Sequence, residues 1–232
     1  MERRKSNVLQ DLAGLFLPRR CAGCDQALLA FEHSICMDCV ADLPRLRGHD
    51  DPENKVEHVF RGRVQLTAAS AFLQFNKGGI VQNMLHRLKY KGDTNVGVEL
   101  GRRMAEDVMP SRRFADVDIV LAVPLHPKKE KQRGYNQSQI LVDGIVEAWP
   151  LESMKHQLVR VAHTSSQTKR GRMSRWSNVK EAFHLIDPNA LVDKHVLLVD
   201  DVVTTGATLE GCALALSTVP GIRISVLTCA CA

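Results

Sequence analysis

No stretch of this sequence stays apolar for the eighteen or so residues that a membrane-spanning helix requires. The phosphate-cradling G-x-x-x-x-G-K-[ST] loop is missing, and so is G-x-G-x-x-G. Nucleoside-triphosphatase and dinucleotide readings therefore have no anchor. There is no internal repeat and no low-complexity tract, which excludes solenoids and disordered arrays. Aromatic residues make up only 5 % of the chain, few for a surface that stacks single-stranded bases. Arg3, Arg4 and Lys5 could open a secretory signal, but Gln10 and Asp11 break the apolar stretch and no small-residue cleavage site follows. The expected location is the cytoplasm.

What is present fits a soluble globular chain. Of 232 residues, 44 % are hydrophobic and 25 % charged, enough for one ordinary domain with a small appendage. Thirty-one basic against 26 acidic residues leave a net charge of +5, which suits an anionic ligand without selecting one. The seven cysteines include two Cys-x-x-Cys pairs, Cys21/Cys24 and Cys36/Cys39, eleven residues apart. Two such knuckles supply the four thiolates of a tetrahedral zinc site, closed by protein and therefore structural. A segment this short cannot build its own core, so a metal is a credible staple. Cys212, Cys229 and Cys231 read as small buried hydrophobes, and His33 as a surface residue.

Hydrophobic periodicity outlines the rest. Val8, Leu9, Leu12, Leu15 and Phe16 give a leader helix ending near Pro18. Residues 47–58, polar and containing Pro52, have the composition of a linker. The division expected is residues 1–50, leader helix plus a zinc-ribbon-like module, and residues 59–232, the main domain. Within the latter, strands are expected at 68–75, 117–123, 196–199 and from 222. Helices are expected around Ile80–Leu88, Val98–Val108, Ile140–Ala148 and from Thr208. This alternation predicts an α/β fold, a mainly parallel sheet with helices on both faces.

The most informative segment is Val196–Leu209. A buried strand ends in Asp200 and Asp201, then Val202, Val203, Thr204, Thr205, Gly206, Ala207 and Thr208 lead into a helix. Adjacent carboxylates can accept hydrogen bonds from vicinal sugar hydroxyls. A hydroxyl-rich turn at a helix N-terminus suits a phosphate. One sugar phosphate explains both halves. Cations for a pyrophosphate could come from two segments. One is Pro124-Leu125-His126-Pro127 through Arg133 to Gln137, which reads as a loop; the other runs from Arg160 to Lys180 and lacks acidic residues. Such charge is best met by preorganised cations. Tyr135 and Trp176 are the aromatics near these loops.

The Val196–Leu209 segment resembles the phosphoribosyl-pyrophosphate signature of type I phosphoribosyltransferases. Val123-Pro-Leu-His126 with Arg133-Gly-Tyr-Asn136-Gln-Ser138 is similar to the ComF family specifically. So are Leu88-Lys89-Tyr-Lys91-Gly-Asp93, Thr164-x-x-Gln167, Arg175-x-x-Asn178, Ala182-Phe183 and the Leu15-Phe-Leu-Pro18 lead-in to the cysteines. Arg170 departs from the family pattern. The resemblance runs from about residue 14 to the C-terminus and implies a type I phosphoribosyltransferase fold over 59–232 behind a four-cysteine zinc module. It implies binding of phosphoribosyl pyrophosphate with magnesium. Asp200, Asp201, Arg133 and Lys89 would be catalytic; residues 202–208, Pro124, Leu125, His126, Lys91 and Arg160 would bind substrate. It also implies a part in natural competence and DNA uptake. The reaction expected is ribosyl transfer with pyrophosphate release, its acceptor unnamed by the sequence. The alternative is a non-catalytic adaptor that binds single-stranded DNA or DNA-processing partner proteins.

Overall fold

The computed structural model describes residues 18–161 and 182–232. The expected leader helix and the basic stretch beyond Val161 fall outside the described residues, apart from Pro18 and the residues that flank it. Among those described, no helix is long and apolar enough to cross a membrane.

The cysteine segment carries one short helix, α1 (Met37–Ala41), and α2 (Lys55–Phe60) follows. The main body runs β1 (Ala68–Gln74), α3 (Ile80–Tyr90), α4 (Thr94–Val108), β2 (Ile119–Ala122), α5 (Pro127–Arg133), α6 (Gln137–Ala148) and β3 (Glu152–Ser153). After β4 (Leu158–Arg160) and β5 (Phe183–Leu185) come β6 (His195–Val203), α7 (Ala207–Leu216) and β7 (Arg223–Cys231). Five strands form one sheet in the order β1-β7-β6-β2-β3, every neighbouring pair parallel. Strands β4 and β5 pair antiparallel as a separate ribbon. The central strands are almost wholly buried, as a parallel sheet covered on both faces requires.

Helices α3, α4 and α6 cover one face, sharing a buried cluster with the alternate side chains Leu197, Val199, Leu227 and Cys229. Helices α2 and α7 cover the other, against Val196, Leu198 and Val226. The expected fold class is the one observed, a parallel sheet between helices preceded by a four-cysteine segment. Helices α4 and α6 cross nearly backbone to backbone. A Cβ added at Gly101 would lie 2.1 Å from the Leu141 carbonyl oxygen, and one at Gly144 equally close to that of Val98.

Two segments read as irregular are helical. Within the supposed linker, Asn54 caps α2, its side-chain oxygen accepting the Val56 and Glu57 N–H groups at 2.9 and 3.2 Å, while Val56 and Phe60 are buried. A six-residue amphipathic helix needs only two apolar anchors, so its polar face dominates the composition. The supposed loop after Pro124 contains α5. There Pro127 sits in the first turn, His126 caps, and Gly134 ends the helix with φ +86°.

Strand β2 leads on to β3 on one side, and β6 leads on to β7 on the other. The crevice between β2 and β6 at their carboxyl ends is therefore the topological switch point, where open α/β sheets bind ligands. Both sequence motifs leave the sheet at this edge.

Candidate sugar-phosphate site and metal centre

Asp200 and Asp201 lie in the carboxyl-terminal part of β6, which runs two residues further, to Val203, than the sequence pattern implied. The Ser138 hydroxyl, in the first turn of α6, donates to Asp200 Oδ1 at 2.8 Å, and the Asp201 N–H donates to the same oxygen at 2.9 Å. Ser138 is positioned by the cap before it. Asn136 accepts the Ser138 N–H at 3.0 Å and donates its amide to the Val123 carbonyl at 2.9 Å, tying α6 to the end of β2. Loss of water, and then the neighbouring Asp201 charge, push the Asp200 carboxyl up to about 7, against the lowering effect of those two hydrogen bonds. Asp201 is buried, 6 % exposed. Its Oδ2 lies 3.0 Å from Lys89 Nζ, but at an angle that makes no hydrogen bond. The charge is neutralised while an acceptor lone pair stays open.

Beyond Val203 the chain turns at Gly206, whose φ of +72° places it in the left-handed region before α7. A side chain there would also collide with the protein, since a Cβ would stand 2.6 Å from Val59 Cγ1 and 2.9 Å from Phe60 Cε1. Arg63 clamps the turn from behind. Its guanidinium donates to the Thr205 carbonyl at 2.6 Å and the Val59 carbonyl at 2.8 Å and pairs with Glu210 in the first turn of α7. Thr204, Thr205 and Ala207 are exposed, Val202 and Thr208 half-buried, and Val203 buried. The turn thus presents its hydroxyls outward while helix α2 holds its back.

Two clefts open beside this edge. One, of about 260 Å³, is lined by Lys89, Tyr90, Lys129, Arg133 and Tyr135. The other, of about 390 Å³, is lined by Pro124, Leu125, Tyr135, Asn136 and Arg160, among others. Tyr135 lines both, its hydroxyl donating to the Leu88 carbonyl. Arg133 bonds Gln137 and stands 5.4 Å from the centre of the Tyr90 ring. Arg160 stacks over Phe183 at 5.4 Å.

The four thiol sulfurs of Cys21, Cys24, Cys36 and Cys39 lie within 4.8 Å of one another. A tetrahedral zinc–thiolate shell needs sulfurs about 3.8 Å apart, from bonds near 2.3 Å. Backbone N–H groups of Gly23 and Cys36 donate to Cys21 Sγ at 3.3 and 3.2 Å, and that of Cys39 to Cys36 Sγ at 3.4 Å, a pattern that favours thiolates. The set can hold a metal ion such as zinc. It is welded to the main body. Asn83 donates to the Gly23 carbonyl at 2.7 Å, Arg87 bonds Asp25, and Glu99 accepts the Ser34 N–H at 2.9 Å. Cys21, Ile35, Cys36 and Cys39 share their buried cluster with Met84 and Leu85.

No protein-family model matches the chain. Competence protein F of Haemophilus influenzae is 26 % identical over 194 residues, covering 82 % of this chain and 80 % of that protein. Competence protein ComFC of Bacillus subtilis is 24 % identical over 201 residues, covering 79 % and 78 %. The DNA utilization protein YhgH of Salmonella typhi is 31 % identical over 133 residues, 54 % of this chain; the match spans only 56 % of that relative's length. These similarities, over about four-fifths of the chain for the two competence proteins, support a ComF-family assignment. Among solved structures, the glutamine phosphoribosylpyrophosphate amidotransferase of B. subtilis is 15 % identical, with a TM-score of 0.43, over 62 % of this chain and 30 % of that one.

The candidates drawn from four sequence segments converge on one sheet edge. Lys89 comes from the end of α3 to reach Asp201, and Arg133 comes from α5 to share a cleft with Lys89. Lys91, the C-cap of α3, is exposed. His126 spends its ring nitrogen on the Lys128 N–H at 3.2 Å. Arg63 and Glu210 escaped sequence reasoning, because isolated Arg and Glu carry no motif, and Ser138, though it closes the Arg133–Ser138 motif, had no role assigned by it. The sharper omission is Tyr90. It is 70 % exposed with Arg133 on its ring, whereas Tyr135 is half-buried and Trp176 lies outside the described residues.

Proposed function

We propose that this protein binds phosphoribosyl pyrophosphate with magnesium at the β2–β6 switch point and acts in natural competence and DNA uptake. The observation that carries the reading is the pair Asp200–Asp201 near the carboxyl end of β6, one acceptor left open, beside an outward-facing Thr204–Thr208 turn at the start of α7. The two carboxylates accept the ribose hydroxyls. The turn and the N–H groups of α7 hold the 5′-phosphate. Lys89 and Arg133 face the pyrophosphate, and Pro124, Leu125, His126, Lys91 and Arg160 border it. Magnesium, held mainly by substrate oxygens and water, supplies charge neutralisation. Lys89 plays a double part: without ligand it neutralises Asp201, and with ligand it turns to the pyrophosphate and frees Asp201 for the sugar. In ribosyl transfer the C1–O bond to pyrophosphate breaks, the leaving group takes the electron pair, and an acceptor lone pair closes on C1. Positioning and charge are sufficient for this step. Zinc at the four cysteines is structural, and the protein works in the cytoplasm.

A second reading rests on Tyr90. An exposed ring backed by Arg133, with Lys91 and Lys129 beside it, suits a stacked base and its phosphates, hence a non-catalytic single-strand adaptor. Calorimetric titration with phosphoribosyl pyrophosphate and magnesium separates the two. Micromolar binding that Asp200→Asn/Asp201→Asn abolishes supports the sugar-phosphate site. No binding by zinc-loaded wild type, with oligonucleotide binding weakened by Tyr90→Ala, supports the adaptor.

A further inference from the structure

A third concavity, of about 710 Å³, lies away from the sheet edge, between the four-cysteine segment and α4. Its wall is apolar: Ile35 and Leu43 are buried there, Val40 half-buried, and Phe31 and Met37 stand 64 % and 63 % exposed at its mouth. Leu29, close by in sequence, is 57 % exposed. Three large apolar side chains open to water within nine residues form the kind of surface that marks an interaction site.

The free charge among the residues that line it is positive, with Asp38 in α1 and Asp42 at its C-terminal cap exposed nearby but outside the lining. Arg45, Arg47 and Arg103 line the rim. The acidic residues of the groove are already engaged. Glu32 accepts the Leu29 and Met37 N–H groups at 2.7 and 2.8 Å, and Glu99 accepts Ser34 N–H and pairs with Arg103 at 2.8 Å. Arg45 has Asp107 at 3.8 Å, but Arg47 is exposed and makes no ion pair among the described residues. Met, Phe and Arg are residue types enriched at protein interfaces. Among the described residues the segment carries no strand, only the isolated bridge Arg20–Ala27, and the bridge Arg45–Leu73 at the rim is already paired with β1, so an added β-strand has no open template.

We infer that this groove on the cysteine module receives an amphipathic helix of another protein, its apolar stripe on Phe31, Met37 and Val40 and its acidic residues on Arg45 and Arg47. This site is independent of the sugar-phosphate reading. The chain's own leader is a poorer occupant, because Arg3, Arg4 and Lys5 would approach a basic rim.

The test is fluorescence anisotropy on the full-length, zinc-loaded protein. The probe is a labelled peptide of about sixteen residues, some four helical turns, with leucines at i, i+3, i+4 and i+7 and glutamates elsewhere. Its lysine-for-glutamate counterpart is the control. The glutamate peptide is expected to bind at least about 10-fold tighter than the control at low salt. Phe31→Ser/Met37→Ser should weaken it at least about 10-fold, and Arg47→Glu about 3- to 10-fold. These side chains are exposed, and unchanged zinc content and circular dichroism will show that the variants fold. Equal binding of both peptides, or indifference to Phe31→Ser/Met37→Ser, overturns the proposal. Binding only after removal of residues 1–17 overturns it in favour of the leader. A concentration-dependent dimer in sedimentation, abolished by Phe31→Ser, overturns it in favour of a second copy.

Discussion

Replacing Gly206 by alanine perturbs the turn in two separable ways. The φ of +72° is one that a residue with a Cβ adopts at a cost of roughly 1–2 kcal/mol. The added carbon would also stand 2.6 Å from Val59 and 2.9 Å from Phe60, an overpacking worth roughly 1–3 kcal/mol more. The sum is about 2–5 kcal/mol, or roughly 5–15 °C in melting temperature for a chain of this size. Gly134 provides the control. Its φ is +86°, but a Cβ added there would meet nothing within 4 Å, so Gly134→Ala should show the backbone cost alone. Urea denaturation of both zinc-loaded variants at constant m-value measures the difference, expected to be about 1–3 kcal/mol. If Gly206→Ala is no more destabilising than Gly134→Ala, helix α2 does not press on the turn and the clamp built by Phe60 and Arg63 is wrong.

Three further outcomes are expected. Asp200, pushed up to about 7, binds a proton in the folded protein that the unfolded chain releases near 3.8. Its contribution to stability is full below about 4 and lost as pH rises through about 7. Asp200→Asn should therefore gain stability over wild type progressively between about pH 4 and pH 7 in urea midpoints and level off above that range, and a pH-independent difference would refute the shift. Lys89→Met strips the cation from Asp201 and should destabilise by about 1–3 kcal/mol, less than a fully buried pair since Lys89 is partly exposed; adding Asp201→Asn should recover part of the loss in a double-mutant cycle. Gly23→Ala places a carbon 2.8 Å from Cys39 Sγ and 3.0 Å from Met84 Cε, and should lower zinc affinity about 10- to 100-fold in chelator competition.

The sheet was legible because its strands are short, apolar and punctuated. Val196–Val199 before Asp200 and Asp201, and Val117–Val123 before Pro124, need no tertiary information to be read as buried strands, although β6 continues through the acidic pair to Val203. The four cysteines were legible because paired thiolates at this spacing have few other uses. Helices α2 and α5 were not. Their apolar anchors are too few for a period to emerge, and what stabilises them is a side-chain cap and the core they land on. Nor could Tyr90 be told from any other aromatic at a helix end.

By itself, then, the sequence determined the alternation of strands and helices, the candidate sugar-phosphate segment and the four-cysteine cluster able to hold a metal, since each is local chemistry written in neighbouring residues. Only the tertiary structure decided that Lys89 meets Asp201 across 112 positions, that Ser138 supports Asp200, that Arg63 clamps the Thr205 turn, and that the cysteine segment shares the core of α3 and α4 while leaving a groove beside it. Those pairings depend on strand order and helix crossing, which arise from how whole faces bury one another and leave no mark on any single stretch of chain.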